Sequence, residues 1–254
     1  MRLEGKVALV TGGGSGIGEG IVRRFAAEGA IVYLGDVDVQ RGQAIAAETG
    51  ARFLSLDVSS SADWARIATD IGASHGQLDI LVNNAGVISS QAIDAIEEAA
   101  WARVMAVNVT GPMLGCRTAI RMVQAAAAPR ALSIINVAST TSFLGLANDV
   151  AYTASKHAIL GLTRSAAAHC ARERLPVRIN TLHPGTTLTA ILQGHIDKNP
   201  AMRAVFDGMS PMGRMAAPSE EAAVALFLAS DESSYCTGAA FVADGGLTAM
   251  HPTM

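Results

Sequence analysis

Apolar and polar positions along this chain follow two alternating rhythms. Short, nearly uninterrupted apolar runs, of the kind buried on both faces of a sheet, fall at 6–11, 30–35, 52–57, 78–82, 132–138, 177–183 and 239–243. Between them lie longer stretches whose apolar residues recur every three to four positions, the helical period. These cover 16–28, 39–48, 62–74, 93–127, 151–171 and 218–229. Gly29 is a natural stop for the first, and Pro218 opens the last where its missing N–H costs nothing. Strands and helices in strict alternation predict a doubly wound α/β fold. It would have a single seven-stranded parallel sheet, helices on both faces and right-handed crossovers. No repeat or linker divides the chain, so residues 1–254 read as one domain.

One segment breaks the rhythm. Residues 186–217 carry Met202, Met209, Met212 and Met215 together with Phe206. Loops of this length inside a compact domain are usually functional, and methionine makes an adaptable apolar lining. The segment is therefore expected to be a substrate lid, with gap-filling in the core as the alternative use of its methionines.

Candidate chemistry concentrates at the ends of two elements. Tyr152 and Lys156 are four residues apart in the Ala-rich stretch 151–171, which places them on one helical face, a turn apart. A free phenol titrates near 10, and an opposite charge within reach lowers a pKa by roughly 1–3 units. Lys156 is thus expected to draw Tyr152 toward neutral pH, with a cationic cofactor adding to the effect. Alone, the pair could be an ordinary tyrosine and a solvated lysine. Ser139, at the end of the apolar run 132–138, changes that weighing, because ligands bind at the carboxyl ends of strands in open α/β sheets. The three residues make a proton-transfer corner.

Between the first strand and first helix runs Thr11-Gly12-Gly13-Gly14-Ser15-Gly16-Ile17-Gly18. Glycines in that context allow a tight turn and close approach to a pyrophosphate resting on the helix N-terminus. Asp36 closes the second strand, where a carboxylate can hold ribose hydroxyls and repel a 2′-phosphate. No Lys or Arg occurs in the glycine loop or directly after Asp36, which favours NAD over NADP. A capping role for Asp36 or Asp38 is compatible with this.

Composition narrows the classes further. Half the residues are hydrophobic and 16% are charged, which fits a buried parallel sheet and excludes a disordered chain. A net charge of −3 without a basic run offers nothing to nucleic acid or an anionic membrane. Cys116, Cys170 and Cys236 are far apart, and the histidines form no ligand pair, so neither a disulfide framework nor a metal site is expected. The first residues lack an apolar signal region, and no run approaches the roughly 18 residues of a membrane span. A cytoplasmic protein is expected.

Taken together, Thr11-Gly12-x-x-x-Gly16-Ile17-Gly18, Asn83-Asn84-Ala85-Gly86, Ser139, Tyr152-x-x-x-Lys156 and Pro184-Gly185 resemble the short-chain dehydrogenase/reductase family over essentially the whole chain. The resemblance implies a Rossmann fold and a set of roles. Tyr152 would be the general acid/base, Ser139 would bind the substrate oxygen, and Lys156 would bind the nicotinamide ribose. Asn108 would hold a relay water on its main-chain carbonyl. For that there is a physical reason, since Pro112 cannot donate to it. The dinucleotide would lie on Gly12, Ser15, Gly16, Ile17 and Gly18, with Asp36 on the ribose and Asp57 and Val58 at the adenine. Asn83, Asn84, Ala85 and Gly86 would line the adenosine side. Pro184, Gly185, Thr187 and Thr189 would meet the nicotinamide amide, although the family usually has valine or isoleucine where Thr187 stands.

Ser133–Asn136, His183-Pro184-Gly185 and the run Asp244–Ala249 are similar to bacterial secondary-alcohol, cyclic-alcohol and hydroxysteroid dehydrogenases of the family. The expected activity is hydride transfer between NAD(H) and a secondary alcohol or ketone, on an apolar, alicyclic or steroid-like skeleton. A homotetramer is implied by the resemblance. Two rivals remain: an NADPH-linked 3-oxoacyl reductase, which Asp36 opposes, and a nucleotide-binding sensor without turnover, which the intact Ser139, Tyr152 and Lys156 oppose.

Overall fold

The computed structural model describes residues 1–250, apart from the side chain of Ile191. Strand β1 (Val7–Thr11) is buried along its whole length. It is flanked by β2 (Ile31–Asp36) and β4 (Ile80–Asn83). β3 (Arg52–Ser55) lies outside β2, while β5 (Leu132–Val137), β6 (Val177–Pro184) and β7 (Ala240–Ala243) extend the other side. The order is β3-β2-β1-β4-β5-β6-β7, and every neighbouring pair is parallel. The chain reverses its direction of winding between β1 and β4, which opens a crevice at the carboxyl ends of those strands.

Successive strand residues face opposite layers. Leu9, Leu81 and Ile134 pack against α3 (Ser61–His75), α5 (Gly111–Ala125) and α6 (Val150–Arg172), through Trp64, Ile67, Leu114 and Ala167. Their neighbours Val10, Val82 and Ile135 pack against α1 (Gly16–Ala27), α2 (Val39–Thr49) and α9 (Pro218–Ala229), through Ile21, Phe25, Ile45 and Leu226. The uninterrupted apolar runs are explained by this two-sided burial.

Two expectations need correction. The stretch 93–127 is not one helix: α4 (Glu98–Met105) passes through a π-turn at Ala106–Thr110 before α5 begins. The Gly111 N–H reaches back five residues to the Ala106 carbonyl, and Pro112 follows with no N–H to give. Residues 186–217 are not an extended loop either, because they form α7 (Ala190–Lys198) and α8 (Met202–Gly208). Within it Met215 and Phe206 are buried, whereas Met209 and Met212 are 45% and 65% exposed. Only part of the methionine set fills gaps.

Candidate active site

Thr11 ends β1 and organises the crevice. Its hydroxyl accepts the N–H groups of Asn84 (3.0 Å) and Ala85 (3.1 Å) and donates to the Val82 carbonyl. The Asn84 amide in turn donates to the carbonyls of Thr11 and Gly12. The segment after β4 is thereby fastened to the glycine loop. Space in this cradle is minimal: a Cβ on Gly18 would overlap the Gly12 carbonyl oxygen, and one on Gly12 would lie 2.8 Å from Ala85 Cα. Gly12 and Gly16 also have positive φ, 63° and 57°, where glycine carries no steric cost. The close-approach role expected of Gly12, Gly16 and Gly18 fits a dinucleotide pyrophosphate at the start of α1. Ser15 sits at the cap of that helix and Ile17 packs against the core beside it.

Asp36 stands at the end of β2 and accepts the Gly14 N–H at 2.9 Å and the Asp38 N–H at 2.9 Å. Its carboxylate therefore faces the loop directly. Asp38, not Asp36, caps α2 through the Arg41 N–H. Arg41 went unnoticed in the sequence because it lies five residues beyond Asp36. Folding brings its Cβ to 3.6 Å from the Cβ position of Gly14, and its guanidinium leans on Asp38 at 3.6 Å. Asp57 is exposed and turns on Ser59 and Asp63, while Val58 is buried beneath Gly111 and accepts Trp64 Nε1–H on its carbonyl.

The proton-transfer corner is assembled from three elements. Lys156 is buried, and its ammonium donates to the Val137 carbonyl at 2.9 Å at the end of β5. It lies 5.4 Å from the Tyr152 ring centroid and 3.6 Å from the Cβ position of Gly86. Tyr152 is partly exposed, and its phenol meets the Ser139 hydroxyl. Ser139, Tyr152 and Lys156 thus share one site, with Gly86 against the ammonium.

The electrostatics differ from expectation. Burial pushes the Tyr152 phenol up, the Ser139 hydrogen bond pulls it down, and the Asp149 charge adds to the rise. Among the described residues Lys156 has no carboxylate partner, and burial brings its own pKa down to about 8. Burial is the largest influence on the phenol, and Lys156, itself costly to charge here, does not reverse it. A positive charge placed beside the phenol would act in the opposite direction.

Asn108 is buried within the π-turn and does not face solvent. Its side chain is fully used: Oδ1 accepts from the Val87 N–H at 2.8 Å, while Nδ2 donates to the Val87 carbonyl and to Ser155 Oγ. That leaves only its main-chain carbonyl for a relay.

Three further residues position the site, with roles that the sequence does not spell out. Asp149 caps α6 through the Tyr152 N–H (3.1 Å) and also accepts from the Ser89 N–H, the Ser90 N–H and the Ser89 hydroxyl. Burial would raise its pKa, but these bonds win and hold it below the usual carboxylate range. The spacing Asp149-x-x-Tyr152 is a helix-cap signal and could have revealed it. His183 is buried below Ser139. Its Nδ1–H donates to the Ser139 carbonyl at 3.0 Å, leaving Nε2 to accept from the Thr181 hydroxyl at 2.7 Å. Burial lowers its pKa, consistent with a neutral ring. Asn136, inside β5, joins Asn83 at 2.8 Å and Thr163 at 2.8 Å, and nothing in a strand pattern announces that.

Pro184 ends β6, and Gly185 follows so tightly that a Cβ would lie 2.7 Å from Asp244 Cα. Thr187 is buried and bridges Ala216. Thr189 folds over the glycine loop, its methyl 3.1 Å from the Cβ position of Gly16. Among the described residues no group of three His, Cys, Asp or Glu could hold a metal ion, and no helix is long and apolar enough to cross a membrane.

Residues 12–248 match the family model described as enoyl-(acyl carrier protein) reductase. The chain is 37% identical to the 3-beta-hydroxysteroid dehydrogenase of Comamonas testosteroni, covering 98% of each. It is 40% identical to the 3-alpha-(or 20-beta)-hydroxysteroid dehydrogenase of Mycobacterium bovis, covering 98% of this chain and 91% of that one. It is also 36% identical to the NADP-dependent (R)-specific alcohol dehydrogenase of Lentilactobacillus kefiri, covering 98% of each. With a family model spanning most of its length and relatives of this similarity, the chain belongs to the short-chain dehydrogenase/reductase family of oxidoreductases.

Proposed function

We propose that this protein is an NAD-dependent dehydrogenase that interconverts a secondary alcohol and its ketone on an apolar, alicyclic or steroid-like skeleton. The observation that carries the reading is the single corner holding Ser139, Tyr152 and Lys156, next to a glycine cradle with no room for a Cβ. The bound nicotinamide would supply the hydride chemistry. The chain's own residues do the rest. Ser139 donates to the substrate oxygen, and Tyr152 takes the hydroxyl proton in oxidation or returns it in reduction. Lys156 and the segment 184–189 would hold the nicotinamide end, with Asn108 behind the lysine. Asp57, Val58, Asn84 and Ala85 would hold the adenosine end.

Apolar side chains at the mouth support the substrate class. Phe143, Leu144 and Leu146, just beyond Ser139, are each about two-fifths exposed, and Met209 and Met212 are exposed on residues 186–217. The Thr186 hydroxyl touches the Met209 sulfur at 3.5 Å, so these methionines stand next to the nicotinamide segment. They form an apolar rim suited to a lid. In the same reading the protein is a cytoplasmic homotetramer.

Asp36 supports NAD, since a 2′-phosphate beside it would meet a carboxylate, although Arg41 stands close by. With a panel of secondary alcohols including cyclic and steroid members, kcat/KM with NAD is expected to exceed that with NADP by about tenfold or more. Asp36→Ser should narrow that gap by removing the carboxylate that would repel a 2′-phosphate, with Arg41 close by to meet it. Equal use of both coenzymes by the native enzyme would remove the coenzyme assignment, and NADPH-linked turnover confined to 3-oxoacyl thioesters would favour the reductase alternative. Coenzyme binding without turnover of any alcohol would favour a sensor.

A further inference from the structure

α9 buries a carboxylic acid that the chemistry above does not use. Glu221 is wholly inaccessible to solvent. Its Oε1 receives one long contact from the Thr187 hydroxyl, 3.4 Å, and among the described residues its Oε2 has no hydrogen-bond partner. The acid borders a partly open cavity of about 150 Å³ lined by Gly185, Thr186, Ser210, Arg214, Asp244 and Gly245. The same Thr187 hydroxyl lies 3.3 Å from the Gly185 carbonyl. A chain of polar groups therefore runs from Glu221 through Thr187 to the turn after β6.

The charges around Glu221 decide its protonation. On its own helix, Glu220 is held ionised by a bidentate pair with Arg214, at about pKa 2. Beyond β7, Asp244 is held ionised by the N–H groups of Gly246 and Thr248 and by the Thr248 hydroxyl. The other packed elements bring no compensating cation. On α1, Arg23 pairs with Glu19 and Glu48, and Arg24 with Glu28. On β6, Arg178 binds carbonyls at the far end of α9, and His183 is engaged with Ser139 and Thr181. Asp231 and Glu232, past the far end of α9, pair with Lys6 and Arg2. β5 has no titratable residue. A carboxylate here would be buried with Asp244 nearby, while among the described residues the one neighbouring cation, Arg214, is committed to the exposed Glu220. Burial first, then these neighbours, push Glu221 up to about 8 against the Thr187 bond.

We propose that Glu221 is a positioning residue for the nicotinamide-binding segment: as a neutral acid it donates to Thr187, whose hydroxyl is then free to hold the Gly185 carbonyl. Ionised, Glu221 has no proton to give. Thr187 must then turn its own hydrogen to the carboxylate and release Gly185, loosening the turn. The departure at Thr187 from the family's usual aliphatic residue thus acquires a use. The role rests on the assignment of residues 184–189 to the nicotinamide.

The test is NADH affinity from fluorescence across pH 6–9.5 for the native protein, Glu221→Gln and Glu221→Ala, with melting of the coenzyme-free proteins alongside. The amide keeps a donor at every pH. Glu221→Gln is therefore expected to bind NADH as the native protein does at pH 6.5 and to lose less affinity above pH 8. Any alkaline weakening contributed by Lys156 is common to both. Glu221→Ala should bind at least about fivefold more weakly throughout, the cost of an unpaired buried group, with kcat at saturating NADH within about twofold of native. Identical alkaline weakening in the native and Gln proteins, or native affinity in the Ala variant, would overturn the role. The melting data test the buried acid without any coenzyme. A folded pKa raised above the ordinary 4.5 means native stability is lost as pH rises from about 4.5 to about 8. The Gln variant should gain on the native protein across that window and then level off, and a constant difference would overturn the proposal. If the native protein binds no NADH at all, the dehydrogenase reading falls, while the melting comparison still reports on the acid.

Discussion

Tyr152→Phe is expected to lower turnover by about 10²–10⁴-fold or more, the contribution of a positioned acid/base, while NADH affinity stays within a few fold of native. The split follows from where the groups are anchored. Lys156 is held by the Val137 carbonyl and not by the phenol. The start of α6 is held by Asp149 on the Tyr152 backbone N–H, which phenylalanine retains. Only the hydroxyl facing Ser139 is removed. Because burial pushes that phenol up, native alcohol oxidation should accelerate with rising pH and ketone reduction with falling pH. Residual activity of the Phe variant should lose this dependence. Near-native turnover, measured as NADH appearance, would refute the role given to Tyr152.

Lys156→Met should move activity and stability in opposite directions. Turnover is expected to fall by at least about 10²-fold, since the cation that opposes the phenol's high pKa is gone. Stability at neutral pH should rise. Lys156 titrates at about 8 against an ordinary 10.5, and each unit is worth about 1.4 kcal/mol, so the buried ammonium costs the fold roughly 3 kcal/mol below pH 8. The lost bond to Val137 offsets part of that gain. The sign is fixed by proton counting. Between pH 8 and 10.5 the unfolded chain holds the extra proton, so native stability climbs with pH and the variant's advantage shrinks until it disappears. Thermal melts at pH 7 and pH 10 check this; a variant that melts lower at both, by the same amount, would show that Lys156 stabilises the fold.

Sequence pattern served well wherever one cause dominated. α9 begins at Pro218 and ends at Ala229, as its proline start and apolar run require, and the glycine loop declared itself by composition. Patterns failed where distant groups decide. β4 begins at Ile80 instead of 78, because the Asp79 carboxylate accepts the Val7 N–H and pairs with Arg130. α7 and α8 have no strong apolar period, being short helices half-turned to solvent. Of the site, Ser139, Tyr152 and Lys156 were legible in type and order. His183 and Glu221 were not, because a buried polar residue is recognised by its partners, and Ser139 and Thr187 lie 44 and 34 residues away in sequence; Asp149 announced only its local cap.

The π-turn at Ala106–Thr110 amounts to a helix carrying one residue more than its period needs. Deleting a single valine beside Asn108 would restore a regular winding and give a better helix in isolation. It would also swing everything on one side of the cut by about 100° around the axis. The Asn108 amide would then part from Val87 and Ser155. The surplus residue is what lets a long rod turn this amide inward at the height of Val87 and Ser155. A lineage that lost it would keep its scaffold and misplace its chemistry.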